Sequence, residues 1–170
     1  MANNYAVVRL DRVTGTRDGS KLLSARYYAN ALAADIENGN VVHITDTLLD
    51  REVFKTEAPS AGDTIKTVGL VASVELKKDS CVLVDDLRDF INKADGEPQR
   101  VYLLETGDIF SVTAPAINGL PATAANAKGK FVKLGTTTKW EYAATDTDAV
   151  GTIIDVEVVG SKTYFVIRIK

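Results

Sequence analysis

Apolar and polar residues alternate along residues 150–170, and a two-residue break at Gly160-Ser161 divides the stretch into the arms of a β-hairpin. Glycine at the first central position fits a type II′ turn. Counting outward from it pairs Val158 with Thr163, Val156 with Phe165, Ile154 with Ile167 and Thr152 with Ile169 on one face. The other face carries Glu157 with Tyr164, Asp155 with Val166 and Ile153 with Arg168. A slip of one residue would bury Asp155 and Glu157, so a single register is expected, with the chain ending inside a sheet.

Shorter runs of the same kind precede the hairpin. Residues 5–10, 53–55, 64–74, 81–84, 100–104, 108–113, 129–134 and 139–143 read as strands, separated by Gly, Pro and Asp/Ser breaks. Residues 15–19 read as a loop, and Asp146 and Asp148 mark a turn. Over 26–37 two readings stand side by side. Tyr28, Leu32 and Ile36 fall at helical spacing, whereas Asn38-Gly39 reads as a hairpin turn leading into a strand at 40–45. The clearest helix is 84–93, where Val84, Leu87, Phe90 and Ile91 make one apolar stripe, Asp85 and Asp86 complement the first turn, and Asp95-Gly96 ends it. These elements predict a mainly β fold. It comprises an N-terminal β-rich lobe, residues 1–97, with one short α-helix, and a C-terminal lobe, residues 98–170, resembling a small β-barrel or sandwich. Phe110, Phe131, Trp140 and Phe165 are the expected core anchors, each worth about 1.5–3 kcal/mol when buried.

The chain has 170 residues, 45% of them hydrophobic, enough for one good core or two small lobes. A net charge of −3 without a long Lys/Arg cluster gives no footprint for nucleic acid. Residues 1–10 offer neither a secretory h-region nor a membrane span, so a soluble protein made in the cytoplasm is expected. The one cysteine, Cys81, reads as a small buried hydrophobe.

Chemistry-bearing patterns are sparse. His43, the one histidine, lies in the apolar run Val41-Val42-His43-Ile44, with no Ser, Cys or Asp signature to complete a triad. Asp85, Asp86 and Asp89 read as a solvated helix face. Asp146-Thr147-Asp148 begins like a calcium loop but lacks the later ligands and glycine. Gly129-Lys130 is followed by Phe131 where a phosphate-binding loop needs Ser or Thr. The expectation is a non-enzymatic protein with no catalytic residue, no cofactor and no metal. Residues 114–128 hold two prolines and a single charge and read as a long loop, with Ile117 and Leu120 exposed. The loop either folds over the barrel end or serves as a contact surface.

Three stretches carry a resemblance: Ala34-Asp-Ile-Glu-Asn-Gly-Asn-Val-Val42, Glu105-Thr-Gly-Asp-Ile-Phe-Ser-Val-Thr113, and Gly129-Lys-Phe-Val-Lys-Leu134 followed by Lys139-Trp140. Together they resemble capsid decoration, cement or head-fibre proteins of tailed bacteriophages. The resemblance implies a virion structural protein on the capsid exterior that binds the major capsid protein, self-associates around local symmetry axes and stabilises the shell, with no nucleic-acid or membrane partner. Capsid-contact candidates are Asn3 and Asn4, as a terminal arm, and Pro115, Ile117, Leu120 and Pro121. The alternative is a carbohydrate- or receptor-binding β module, for which Tyr5, Tyr27, Tyr28 and Tyr142 would supply the aromatic platform.

Overall fold

A computed structural model describes residues 4–74 and 89–170. Among the described residues it is mainly β, with 49% strand, no helix of seven or more residues, and sheets that curl into a half-barrel. The strands are β1 (Val8–Arg12), β2 (Leu22–Ala29), β3 (Leu32–Ala33), β4 (Ile36–Glu37), β5 (Val41–Asp50), β6 (Val53–Glu57), β7 (Val68–Val71), β8 (Ile91–Asn92), β9 (Gln99–Leu103), β10 (Ile109–Thr113), β11 (Ile117–Asn118), β12 (Phe131–Leu134), β13 (Trp140–Ala143), β14 (Gly151–Val159) and β15 (Lys162–Ile169).

Five strands close into a ring. β2 pairs with β6 in parallel, and the circuit β6–β5–β7–β9–β2 continues antiparallel back to its start. Ala25, Val42, Val71 and Val101 form the cluster inside it, with Tyr27, Ile44 and Phe54 against them and Ile36 of β4 joining. Even eight strands leave room only for packed side chains, so five demand small ones. Gly69 meets that demand at its limit. A Cβ there would lie 2.3 Å from Val101 Cγ1.

The alternate residues of the same strands face a second, larger core. Val41, Val68, Leu70 and Tyr102 pack with Phe110, Val112, Trp140, Phe165 and Ile167 of an open seven-stranded sheet, ordered β1-β10-β15-β14-β12-β13-β11. β7 is therefore buried on both faces along its whole length, which is why it reads as Val-Gly-Leu-Val without alternation. The two sheets exchange chain on either side of residue 97. β1 joins the strands of residues 109–169, and β9 closes the ring made by residues 22–71.

Several local expectations change. Residues 26–37 are not helical: β2 runs to Ala29 and turns at Asn30 (φ 50°) and Ala31 (φ 67°) into β3. Positive φ at both central positions is the type I′ hairpin geometry. Asn38-Gly39 does not join paired strands, because β4 pairs with β8 whereas β5 pairs with β6 and β7. The expected helix at 84–93 and the strand at 81–84 fall largely on residues 75–88, outside the described residues. The described end, Ile91–Asn92, is strand β8.

The terminal hairpin keeps its expected turn and its first pairs. Val158 faces Thr163, Glu157 faces Tyr164, Val156 faces Phe165 and Asp155 faces Val166. Beyond Asp155 the register shifts. Ile153, not Ile154, lies opposite Ile167, and Thr152 faces Arg168. Ile154 is the extra residue of a bulge, 39% exposed while Ile153 is fully buried. The bulge lets Ile153 and Val156, three apart, reach the same core.

Candidate functional site

Of the three stretches singled out in the sequence, residues 37–41 and Trp140 fasten the ring to the open sheet, Asp108 ties together the loops that cross between them, and residues 129–134 pair within the open sheet. Residues 37–41 form a polar seam. The Ala6 amide donates to Glu37 Oε2 (3.0 Å), and Asn38 Oδ1 accepts from the Ser73 amide (2.9 Å) and Asn92 Nδ2 (3.2 Å). The Gly39 amide donates to the Val71 carbonyl (2.7 Å), and the Gly39 carbonyl accepts from Trp140 Nε1 (2.9 Å). Asn40 Nδ2 reaches Thr138 Oγ1 (3.2 Å), and the Val41 amide reaches the Thr138 carbonyl (2.7 Å). Gly39 has φ +81°, a backbone form that other residues adopt only with strain, and a Cβ would press on Val112 Cγ1 at 3.0 Å.

Asp108 plays the corresponding part in the second stretch. Its buried carboxylate accepts from the Thr14 amide (2.9 Å), Thr14 Oγ1 (2.7 Å) and the Glu105 amide (2.9 Å), pinning the loop after β1 to the turn before β10. In the third, Trp140 is wholly buried, its ring 5.5 Å from that of Phe110. Phe131, expected in the core, is only half-buried, under the Lys170 ammonium at 4.5 Å.

The contact candidates are placed unevenly. Asn3 lies outside the described residues, and Asn4 is exposed. Residues 114–128 are not a bare loop. They form a 3₁₀ turn at Ala114–Ala116, strand β11 paired in parallel with β13, and a second 3₁₀ turn at Ala124–Ala127. Ile117, expected at the surface, is buried in the main core, because its strand completes the sheet beside Trp140. Pro115, Leu120 and Pro121 are half-buried, with Leu120 packed against the same core.

His43 acquires an acid that the sequence did not announce. Its Nδ1 donates to Asp63 Oδ1 (2.6 Å), and that carboxylate also accepts from the Ser60 amide (2.6 Å), Ser60 Oγ (3.1 Å) and Thr67 Oγ1 (2.9 Å). Burial raises the Asp63 pKa, but the hydrogen bonds from Ser60, Thr67 and His43, together with the His43 charge, outweigh it and leave it below the ordinary value. Ser60 is held by the acid instead of by the imidazole, so the trio is not arranged as nucleophile, base and orienter. It anchors the loop before β7 to β5. Of the four tyrosines considered for an aromatic platform, Tyr27 and Tyr28 are successive in β2 and point to opposite faces, with Lys55 Nζ 5.4 Å from the Tyr28 ring. Among the described residues no three His, Cys, Asp or Glu side chains come together as a metal site, and Asp146 is paired with Lys170. Cys81, Asp85 and Asp86 lie outside them, as does most of the expected helix face. Asp89 is buried, receiving the Tyr5 amide (2.9 Å) and Lys162 Nζ (2.8 Å).

The surface feature that the hydropathy pattern did not single out is the outer half of the β5–β6 hairpin. β7 accompanies β5 only from Val41 to His43, so beyond it β5 is flanked, among the described residues, by β6 on one edge only, with β2 behind β6. Leu48 is 53% exposed and Leu49 39% exposed. The available signal was two adjacent leucines among Asp46, Asp50 and Glu52 at the end of a long strand.

The fold and its fastening define a mainly β protein in which a small closed ring is locked to an open, curved sheet. Comparison with protein-family models, with curated proteins and with solved structures gives no match.

Proposed function

We propose that this chain is a non-enzymatic structural protein of a tailed-bacteriophage virion, bound to the outer surface of the capsid and stabilising the shell. The observation that supports this reading is that the stretches resembling decoration proteins contain fastening residues of the fold: the 37–41 seam, the Asp108 hub and the buried Trp140. A protein that braces a lattice needs a body that does not yield when its contacts are loaded, and interlocked sheets sharing one core supply it. Each copy then needs only an interface of about 1,200–2,000 Å², since repetition over the lattice multiplies moderate contacts.

The partner is the major capsid protein, with self-association around local symmetry axes as the accompanying arrangement, and no cofactor takes part. Quantitative mass spectrometry of purified virions tests the proposal. A copy number comparable to that of the major capsid protein supports a lattice-wide decoration role. A far smaller number moves the chain to a vertex or fibre, and absence from the particle refutes the reading.

A further inference from the structure

We propose that the outer half of the β5–β6 hairpin, residues 45–52, is the docking arm of this protein and enters an apolar cleft rimmed by Lys or Arg side chains on the capsid surface. The inference rests on the capsid reading above. Three observations carry it. β6 is backed by β2, but beyond His43 the other edge of β5 has no strand beside it among the described residues, and such an edge is open to pairing or contact with another chain. Its ladder shifts register between Ile44 and Leu48 and again between Leu48 and Asp50, leaving Leu48 and Leu49 both exposed where a regular half-buried strand would turn one inward.

The third observation is charge. Several carboxylates of the body are paired, as in Arg9–Glu157, Lys21–Glu105, Lys93–Asp35 and Lys128–Asp155. On the arm, Asp46, Asp50 and Glu52 have no cationic partner among the described residues, and with Arg51 they give the segment an uncompensated negative charge. Exposed leucines framed by unpaired carboxylates are complementary to an apolar pocket with a basic rim. Leu32, 74% exposed beside the β2–β3 turn, has no apolar neighbour like the Leu48-Leu49 pair, and the apolar projection of Val158 and Val159 at the β14–β15 turn lacks the charge signature. Its neighbours Glu157 and Lys162 are already paired, with Arg9 and Asp89.

The test is co-sedimentation of the full chain with heads of its own phage from which the native copies have been stripped. Wild type is compared with Leu48→Ser/Leu49→Ser, Asp46→Lys/Asp50→Lys and the control Val158→Ser. Both arm variants are expected to melt with wild type, since the altered side chains are exposed, and to bind at least about tenfold more weakly. The charge variant should lose its deficit as salt rises past about 0.5 M, where exposed charges are screened. Wild-type binding that survives both arm substitutions, or falls equally in Val158→Ser, overturns the arm while leaving the capsid reading intact. Failure of wild type to bind heads at all removes the capsid reading and the arm with it. Self-association of wild type that Leu48→Ser/Leu49→Ser abolishes makes a second copy the occupant and also overturns the proposal.

Discussion

Gly69→Ala adds one methyl group to the interior of the five-stranded ring, where the new Cβ would stand 2.3 Å from Val101 Cγ1, 3.2 Å from Ile44 Cδ1 and 3.2 Å from the Tyr102 carbonyl oxygen. Val101 could turn away, but the backbone oxygen is fixed by the ladder, so the strand itself must move. Forcing a methylene-sized group into a well-packed core costs about 1–3 kcal/mol. With a urea slope of about 2 kcal/mol/M, the unfolding midpoint should fall by about 0.5–1.5 M. Val101→Ala alone removes two buried methyl groups, costing about 1.6 kcal/mol in transfer free energy and more for the cavity. In the double variant the alanine at 69 partly fills the space left at 101. The two changes should then fail to add by on the order of 1 kcal/mol, read by urea unfolding of all four proteins at a common slope. An unchanged midpoint for Gly69→Ala, or strict additivity, would refute the packing argument.

Other changes probe the remaining structural claims. Ala31 sits at φ 67°, where a Cβ costs about 1–2 kcal/mol, so Ala31→Gly should stabilise the protein by about 1 kcal/mol; a lower melting temperature would contradict the type I′ turn. Trp140→Phe leaves the buried Gly39 carbonyl without its donor and should cost about 1–3 kcal/mol beyond the loss of ring volume, a deficit visible by calorimetry. The folded pKa of Asp63 lies below its ordinary value of 3.8, so the stability it contributes is fully present above about pH 4 and fades as pH falls through the folded value. The stability gap between wild type and Asp63→Asn should therefore narrow below pH 4. A gap that widens on acidification would mean that the carboxylate is not held in its charged form.

Legibility of the fold varied with how local its causes were. The type II′ turn at Gly160-Ser161 and the pairs nearest it follow from a two-residue loop, and they are as the alternation predicts. The turn at Asn30-Ala31 is equally local yet hidden, since alanine does not mark positive φ. Nearby, Tyr28, Leu32 and Ile36 mimic a helix although Leu32 is 74% exposed and Ile36 is buried in the ring. For the candidate site, Ile117 and Leu120 were legible as apolar residues but not as core. Whether a short apolar run faces solvent depends on which strand it pairs with, and β11 pairs with a strand more than twenty residues further on. The acid beside His43 was invisible for the same reason, as Asp63 arrives from the far side of a loop.

What the sequence determined by itself was the β character of the chain, most strand positions in its second half, the sense of the last hairpin and the burial of Phe110, Trp140 and Phe165. Tertiary structure alone decided ring closure by β9 on β2, the inward choice of Ile153 over Ile154, and the exposure of Leu48 and Leu49. The physical reason is the range of the forces involved. Turn geometry and side-chain alternation act over a few residues, whereas burial is settled by which distant strand arrives alongside and where it stops. β7 ends at Val68, opposite His43, and that endpoint leaves the arm beyond it uncovered.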